Sequence, residues 1–181
     1  MPRRLAVPVL EENGIRLEPL ARSLAPDMAW VLEPDEDIAR FTYIPTVADE
    51  PFLERWLARY EDGWESGENA GFIVRDGDGT GIGFAAYVRL DLDGQQGELG
   101  YVIARDGRGK GAATSAVRLL TDWGFRELAL QRIELRIDPR NTGSEKVAER
   151  AGYRQEGVLR SIAFKEGLRT DVGVWSRLAQ D

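Results

Sequence analysis

The chain has 181 residues, 43% of them apolar and 30% charged, with a net charge of −7, a balance that fits a globular unit with a real core and argues against broad electrostatic capture of nucleic acid or anionic lipid. It contains no cysteine and no histidine. Disulfides, thiolate or imidazole metal sites, a cysteine nucleophile and a Ser-His-Asp triad are therefore excluded, and chemistry falls to carboxylates, hydroxyls, backbone dipoles or a bound coenzyme.

Residues 1–12 read as a loose N-terminal arm and 13–181 as one domain. The arm carries two arginines and a short apolar run broken by Pro8. That run is too short for a signal segment, so a cytoplasmic protein is the default expectation. No stretch approaches a membrane span. "GIRLEPL" (14–20) alternates as a first strand. Residues 23–41 show helical spacing around Trp30, Val31, Leu32, Ile38 and Phe41, split by Pro34. Pro51 opens a stronger helix with Phe52, Leu53, Trp56, Leu57 and Tyr60 on one face. "AGFIVRD" and "GIGFAAYVRL" flank the turn "GDGT", and "DLDG" leads into "GELGYVIA" (97–104), so three consecutive strands form a meander. A long helix is expected over 109–128, with Ala113, Ala116, Val117, Leu120, Trp123 and Leu128 on its buried face. "RIELRID" (132–138) alternates with Ile133, Leu135 and Ile137 inward. "NTGSEKVAERAG" (141–152) is a short helix, with capping-box spacing from Thr142 to Glu145 and Gly152 at its C-terminal cap. Residues 153–178 read as two strands around "KEGLR".

The stretch "RDGRGKGAAT" (105–114) puts Gly107, Gly109 and Gly111 with Arg105, Arg108 and Lys110 between a strand and a helix. The first amides of a helix lack internal partners and carry the positive end of its dipole. Glycines let a ligand approach them, and cations add charge, so the turn suits a phosphate or pyrophosphate. It is neither G-x-x-x-x-G-K-[ST] nor G-x-G-x-x-G, because residue 114 is Thr and the preceding strand belongs to a meander. A flexible exposed loop is the plain alternative.

The second half narrows the reading. Arg108, Gly111 and Ala113 meet the pattern R/Q-x-x-G-x-G/A at a helix start after a strand, and "NTGSEKVAERAGYRQEG" follows about thirty residues later. With these motifs and this element order the sequence resembles the GNAT acetyltransferase superfamily, along nearly the whole chain. It is most similar to the branch of ribosomal-protein amino-terminal acetyltransferases (RimJ/RimL-like), where "ELGYVI", "RIELRID" and "GVLR" have near-identical counterparts. The resemblance implies an α+β fold: a mixed, mostly antiparallel central sheet of about seven strands with flanking helices and a V-shaped split between strands 97–104 and 132–138. It implies acetyl-CoA as acetyl donor, a primary amine as acceptor, a ternary complex and no metal. Dimers are common among such proteins, so a homodimer is an expectation too.

Carried over residue by residue, the resemblance places the pantetheine arm on backbone groups of Val102, Ile103 and Ala104. The pyrophosphate falls on the amides of Arg108, Gly109, Lys110, Gly111, Ala112 and Ala113. Asn141 bonds the pantetheine arm, Lys146 reaches the coenzyme and Ser144 serves the thiolate leaving group. Glu98 stands where several family members place a catalytic glutamate. A glutamate that some relatives carry on the strand after the Glu-Gly pair is matched here by Ala163, so the base stays open between Glu98, Glu156 and ordered water. Residues 23–68 wall the acceptor site. A non-catalytic acetyl-CoA-binding or sensing module is the alternative function.

Overall fold

The computed structural model describes residues 5–165 and 167–181. The first four residues of the expected arm, and Glu166 in the expected "KEGLR" turn, lie outside them. Asn13 and Gly14 both have positive φ, 52° and 75°, as a two-residue type I′ turn requires. They join β1 (Leu10–Glu12) to β2 (Ile15–Pro19), with Glu12 opposite Ile15. The segment read as a loose arm therefore ends in a paired strand. Leu5 is buried as well, and its amide donates to Trp64 O at 2.9 Å. This added strand brings the sheet to eight rather than about seven.

Two short 3-10 turns, Arg22–Leu24 and Pro26–Leu32, precede α1 (Glu36–Phe41), with Pro34 in the break between. Helix α2 (Glu50–Ser66) starts where Asp49 accepts from the Phe52 amide at 2.8 Å, and it stops at Gly67, whose φ is 74°. Strands β3 (Ala70–Arg75), β4 (Gly81–Asp91) and β5 (Gln96–Ile103) form the expected meander. There follow α3 (Ala112–Arg126), β6 (Arg132–Ile137), α4 (Thr142–Arg150), β7 (Arg154–Lys165) and β8 (Leu168–Leu178). Among the described residues no helix is long and apolar enough to cross a membrane.

The strand order is β1-β2-β3-β4-β5-β6-β8-β7. Every neighbouring pair is antiparallel except β5 and β6. Those two run parallel, and their ladder covers only Gln96↔Arg132 to Leu99↔Leu135. Past Leu99, β5 keeps β4 as a neighbour on one side, while β6 keeps β8 to Ile137. The two central strands thus part, and the split opens between Gly100–Ile103 and the end of β6.

Alternation along β5 assigns its side chains to two cores. Leu99 and Ile103, with Tyr101 packed beside them, join the cluster that contains Val117 and Leu120 of α3 and Ala148 of α4. Val102 packs on the other cluster, with Leu53, Leu57 and Tyr60 of α2 and Ile38 of α1. Helix α3 follows its predicted stripe, with Ala116, Val117, Leu120 and Trp123 buried. Its close approach to the sheet depends on Gly124. Tyr87, fully buried on β4, donates its hydroxyl to Leu120 O at 2.8 Å, and a methyl group at position 124 would collide with that hydroxyl.

Gly124→Ala should therefore displace the Tyr87 phenol and destabilise the fold by about 1–3 kcal/mol. A melting temperature unchanged from wild type would show that α3 can shift at no cost.

Candidate active site

The glycine turn is built by backbone geometry before charge enters. Arg105–Gly107 forms one 3-10 turn, and Gly109 and Gly111 then take φ of 79° and 83°. A left-handed residue cannot continue a helix, so α3 begins at Ala112 rather than at 109. Gly111 is its N-cap and supplies no side-chain acceptor. The first intrahelical bond runs from Ser115 N–H to Gly111 O at 3.1 Å, which leaves the preceding amides of the first turn without helical acceptors. Side-chain space at Gly109 and Gly111 is open, with nothing within 4 Å of an added Cβ.

The cations of the turn are arranged differently from the sequence reading. Arg108 does not project a free guanidinium. Its Nε donates to Ile103 O at 2.9 Å, one terminal nitrogen bonds Asp35 at 2.8 Å, and the other reaches Asp37 at 3.4 Å. Asp35 also caps α1 by accepting from the Asp37 and Ile38 amides at 3.0 and 3.1 Å. Burial alone would raise the pKa of Asp35. The Ile38 amide bond and Arg108 outweigh burial and hold its carboxyl below the ordinary value. Lys110 Nζ turns back to Asp106 O at 3.2 Å, and Arg105 is largely exposed, 3.8 Å from Asp35. The turn therefore offers amides toward the cleft, and Arg108 serves to clamp it to α1. Asp35 was not singled out in the sequence; its position after Pro34 and before Ile38 is an N-cap signal that would have found it.

The opposite wall comes from α4. Its N-cap is Asn141, one residue earlier than the Thr142 box expected, because Asn141 Oδ1 accepts from the Ser144 amide at 3.1 Å. Its end is as expected. Gly152 has φ 83°, its amide donates to Glu149 O at 3.0 Å, and Tyr153 N–H reaches back to Ala148 O at 3.0 Å, a Schellman closure. Between the turn, α4 and the parted end of β5 lies a cleft of about 530 Å³. Of the residues singled out in the sequence, it brings together Val102, Ile103, Arg108, Gly109, Gly111, Ala112, Ala113, Asn141, Ser144 and Lys146. Arg140 and Arg150 line it too, as do Tyr101 and, from α1, Asp37, Ile38 and Phe41. Ala104 and Lys110 are not among its lining, and the Ala104 amide is spent on Ile82 O at 2.9 Å. By the alternation of an antiparallel ladder, the main-chain groups of Tyr101 and Ile103 then face the split, and those of Val102 face β4.

Of the aromatics in the segment 23–68, Phe41 reaches the cleft. Trp56 and Tyr60 pack on Phe84, with ring centroids 4.5 and 4.9 Å away. Trp64 is buried among core residues, Trp30 is partly buried against the second core, and Tyr43 is exposed. Among the described residues no cluster of carboxylates could hold a metal ion.

The two carboxylates considered as bases sit apart from this cleft. Glu98 shares the β5 face of Val102, opposite Tyr101, and stands level with Glu134 across the short parallel ladder. Arg136 Nε lies 3.5 Å and an Arg89 nitrogen 3.8 Å from its carboxylate. Glu156 accepts two bonds from Arg132, at 2.7 and 2.6 Å, and one from the Ser176 hydroxyl at 2.6 Å. The Arg132 bonds first, then the Ser176 bond, pull its pKa down to about 2. A carboxylate so held is a weak base at neutral pH.

Residues 15–154 match the family model described as the acetyltransferase (GNAT) domain. Over 109 residues the chain is 36% identical to p20 of Bacillus licheniformis, an uncharacterised N-acetyltransferase, covering 60% of this chain and 61% of p20. The chain thus spans about three fifths of that relative's length. It is 32% identical over 144 residues to YdaF of Bacillus subtilis, provisionally named a ribosomal N-acetyltransferase, covering 78% and 76% of the two chains. Among solved structures, RimL, a ribosomal L7/L12 alpha-N-protein acetyltransferase in complex with coenzyme A, superposes with a TM-score of 0.86 at 16% identity, covering 94% of this chain and 98% of RimL. At that identity the likeness concerns the fold.

The Glu156 network predicts a pH effect. A folded-state value of about 2 against an ordinary 4.5 gives stability that is full above 4.5 and is lost as pH falls toward about 2. The side chain is 45% exposed, so solvent screening reduces the contribution. Glu156→Gln should flatten the decline of melting temperature across that acid window; wild-type and variant curves running parallel would refute the coupling.

Proposed function

The chain belongs to the GNAT acetyltransferase family, whose domain covers residues 15–154, and from that premise we propose that it transfers the acetyl group of acetyl-CoA to a primary amine within a ternary complex. The observation that carries the reading is the meeting, in one cleft, of an uncapped helix start entered through two left-handed glycines and a central strand whose partner has parted from it. The first feature suits a diphosphate, which the amides of 109–113 and the dipole of α3 would hold. The second suits an amide-bearing arm that adds as a strand to the Tyr101–Ile103 edge of β5. Lys146 and Arg150 supply cations around the cleft, and Arg140 lines it paired with Asp138. Arg108 contributes by fixing the shape of the turn.

Acyl transfer from a thioester needs three things from this chain. Main-chain amides of β5 at the split would receive the oxyanion, and losing one such donor costs about 3–4 kcal/mol of transition-state stabilisation. Ser144, in the first turn of α4, would hydrogen-bond the departing sulfur. The acceptor must lose a proton, and Glu98 is the protein base in this reading, reached through water because it lies outside the cleft lining. Glu156 is set aside because Arg132 and Ser176 already engage it. The names borne by YdaF and RimL support a protein amino terminus as acceptor; a small-molecule amine is the alternative.

Acetyl-CoA binding by calorimetry and free-thiol release with a panel of peptide amino termini and small amines test the proposal. Tight binding with no amine-dependent thiol release would instead favour a sensing module. Gly111→Ala should cost about 1 kcal/mol of stability, the strain of a side chain in the left-handed region, and leave coenzyme binding largely intact. Gly111→Asp should weaken binding at least ~10-fold further, by setting a carboxylate against the diphosphate; equal affinities would remove the diphosphate from this turn. Glu98→Gln should flatten the rising limb of the pH–rate profile, and an unshifted limb leaves water as the base.

A further inference from the structure

The β7–β8 hairpin reaches beyond the strand that carries it. Ile137 is the last residue of β6 to pair with β8, opposite Gly173, so Leu168–Val172 and the β7 residues facing them continue past the end of β6. That is the end at which β5 and β6 have parted. The register of β7 shifts between Leu159 and Ala163, where Ser161 takes a φ of 54°. Asp171 accepts from the Ser161 amide at 2.8 Å and Arg169 donates to Ser161 O at 3.0 Å, which holds this bulge in place. A bulge bends its strand. Near the tip, Lys165 Nζ donates to three carbonyls, those of Ala39, Thr42 and Ile44, the last two at 2.8 Å. An ammonium has three donors, one for each carbonyl. Ala39 lies in the last turn of α1, whose final carbonyls lack helical donors and carry the negative end of the dipole.

These bonds close a ring. Strand β7 is the far edge of the sheet, beyond β8 and β6, whereas Ile38 of α1 packs with Ile73 of β3 and Phe84 of β4. Lys165 therefore joins the two sides of the split. Helix α1 is held at both ends, by Arg108 from the glycine turn at its start and by Lys165 from the hairpin at its end. We propose that Lys165 is a positioning residue for the acceptor amine: by tying the hairpin to the C-terminal end of α1, it fixes Phe41 and Thr42, which line the cleft. This rests on the acyl-transfer reading above. In that reading the glycine turn holds the diphosphate, the edge of β5 holds the arm and α4 serves the sulfur. The lining residues at the end of α1 are left for the group that attacks the thioester. Thr42 is constrained at three atoms. Its hydroxyl donates to Ile38 O at 2.6 Å and accepts from the Ile44 amide at 3.1 Å, its own amide donates to Ile38 O at 3.0 Å, and its carbonyl accepts from Lys165. The next anchor along the chain is Ile44, buried in the second core. Lys165 itself is not among the residues lining the cleft, so it acts through this wall rather than on the substrate.

The test is Lys165→Met, which keeps the length of the side chain and removes all three donors. Hydrogen exchange at the Thr42 amide should quicken at least ~10-fold, while amides of α3 keep their wild-type rates. In thiol-release assays with the amine of the panel that wild type uses fastest, KM for that amine should rise roughly tenfold and kcat stay within about threefold. The dissociation constant of acetyl-CoA, by calorimetry, should stay within about twofold, a split that a general loss of stability would not produce. Lys165→Gln keeps N–H donors and should show the same two effects in weaker form, and it carries the test if the Met variant does not fold. Unchanged exchange at Thr42 would remove the tie between hairpin and α1. Faster exchange with an unchanged KM for the amine, or acetyl-CoA affinity falling in step, would overturn the positioning role and leave the cleft reading standing. Failure of the wild-type chain to bind acetyl-CoA, or to release thiol with any amine of the panel, would overturn both.

Discussion

The parting of β5 from β6 is the constraint on which the rest of the molecule depends. A parallel ladder that ends at Leu99 and Leu135 leaves main-chain groups of Tyr101 and Ile103 in mid-sheet without a strand to bond. Such groups must find partners. Arg108 supplies one by donating to Ile103 O, and the remainder form an edge that an amide-bearing ligand can complete. The same parting decides where the helices begin. Helix α3 starts just after β5 ends and α4 just after β6 ends, so both N-termini open on the split. Two helix dipoles and two sets of orphan amides then converge on one cleft in a protein whose net charge is −7. Global charge therefore says little about this site; local backbone geometry sets its potential.

Arg108 shows how one side chain can serve shape rather than charge. A guanidinium with five donors can satisfy a carbonyl and two carboxylates together. Here it binds Ile103 O, Asp35 and Asp37, which joins the end of β5, the glycine turn and the start of α1 into one unit. Asp35 is doubly engaged, as helix cap and as ion-pair partner. The wall on the α1 side and the glycine turn are thus mechanically connected. The cations left to line the cleft come from the opposite wall, where Lys146 and Arg150 sit on α4; Arg140, just before it, also lines the cleft, but Asp138 accepts from its guanidinium at 2.9 and 2.6 Å.

Much of this was legible in the chain itself because it is written in local periodicity. The stripe of Ala116, Val117, Leu120 and Trp123, the alternation of Ile133, Leu135 and Ile137, and Gly152 at a helix end depend on neighbours a few residues away. The family resemblance carried by Arg108, Gly111 and Ala113, with Asn141 and Ser144 about thirty residues on, pointed to residues of both walls of the cleft. Some local signals were present and unread. Asn13-Gly14 is a hairpin turn, and it turned an expected arm into β1. Asn141 outcompeted Thr142 as cap because its side-chain oxygen reaches the Ser144 amide.

The sequence by itself determined the element types, the helix faces, the glycine turn and the exclusion of thiol and imidazole chemistry, since residue identity and short-range spacing are enough for these. Only the tertiary structure decided which charges are free. Arg108 meets Asp35 from 73 residues away and Arg132 meets Glu156 from 24, and no local pattern encodes such pairings. It also decided that Glu98 lies on the far side of β5 from Ser144 and that Tyr101 lies on the near side, because side-chain alternation has a direction only once the sheet has helices packed on each face.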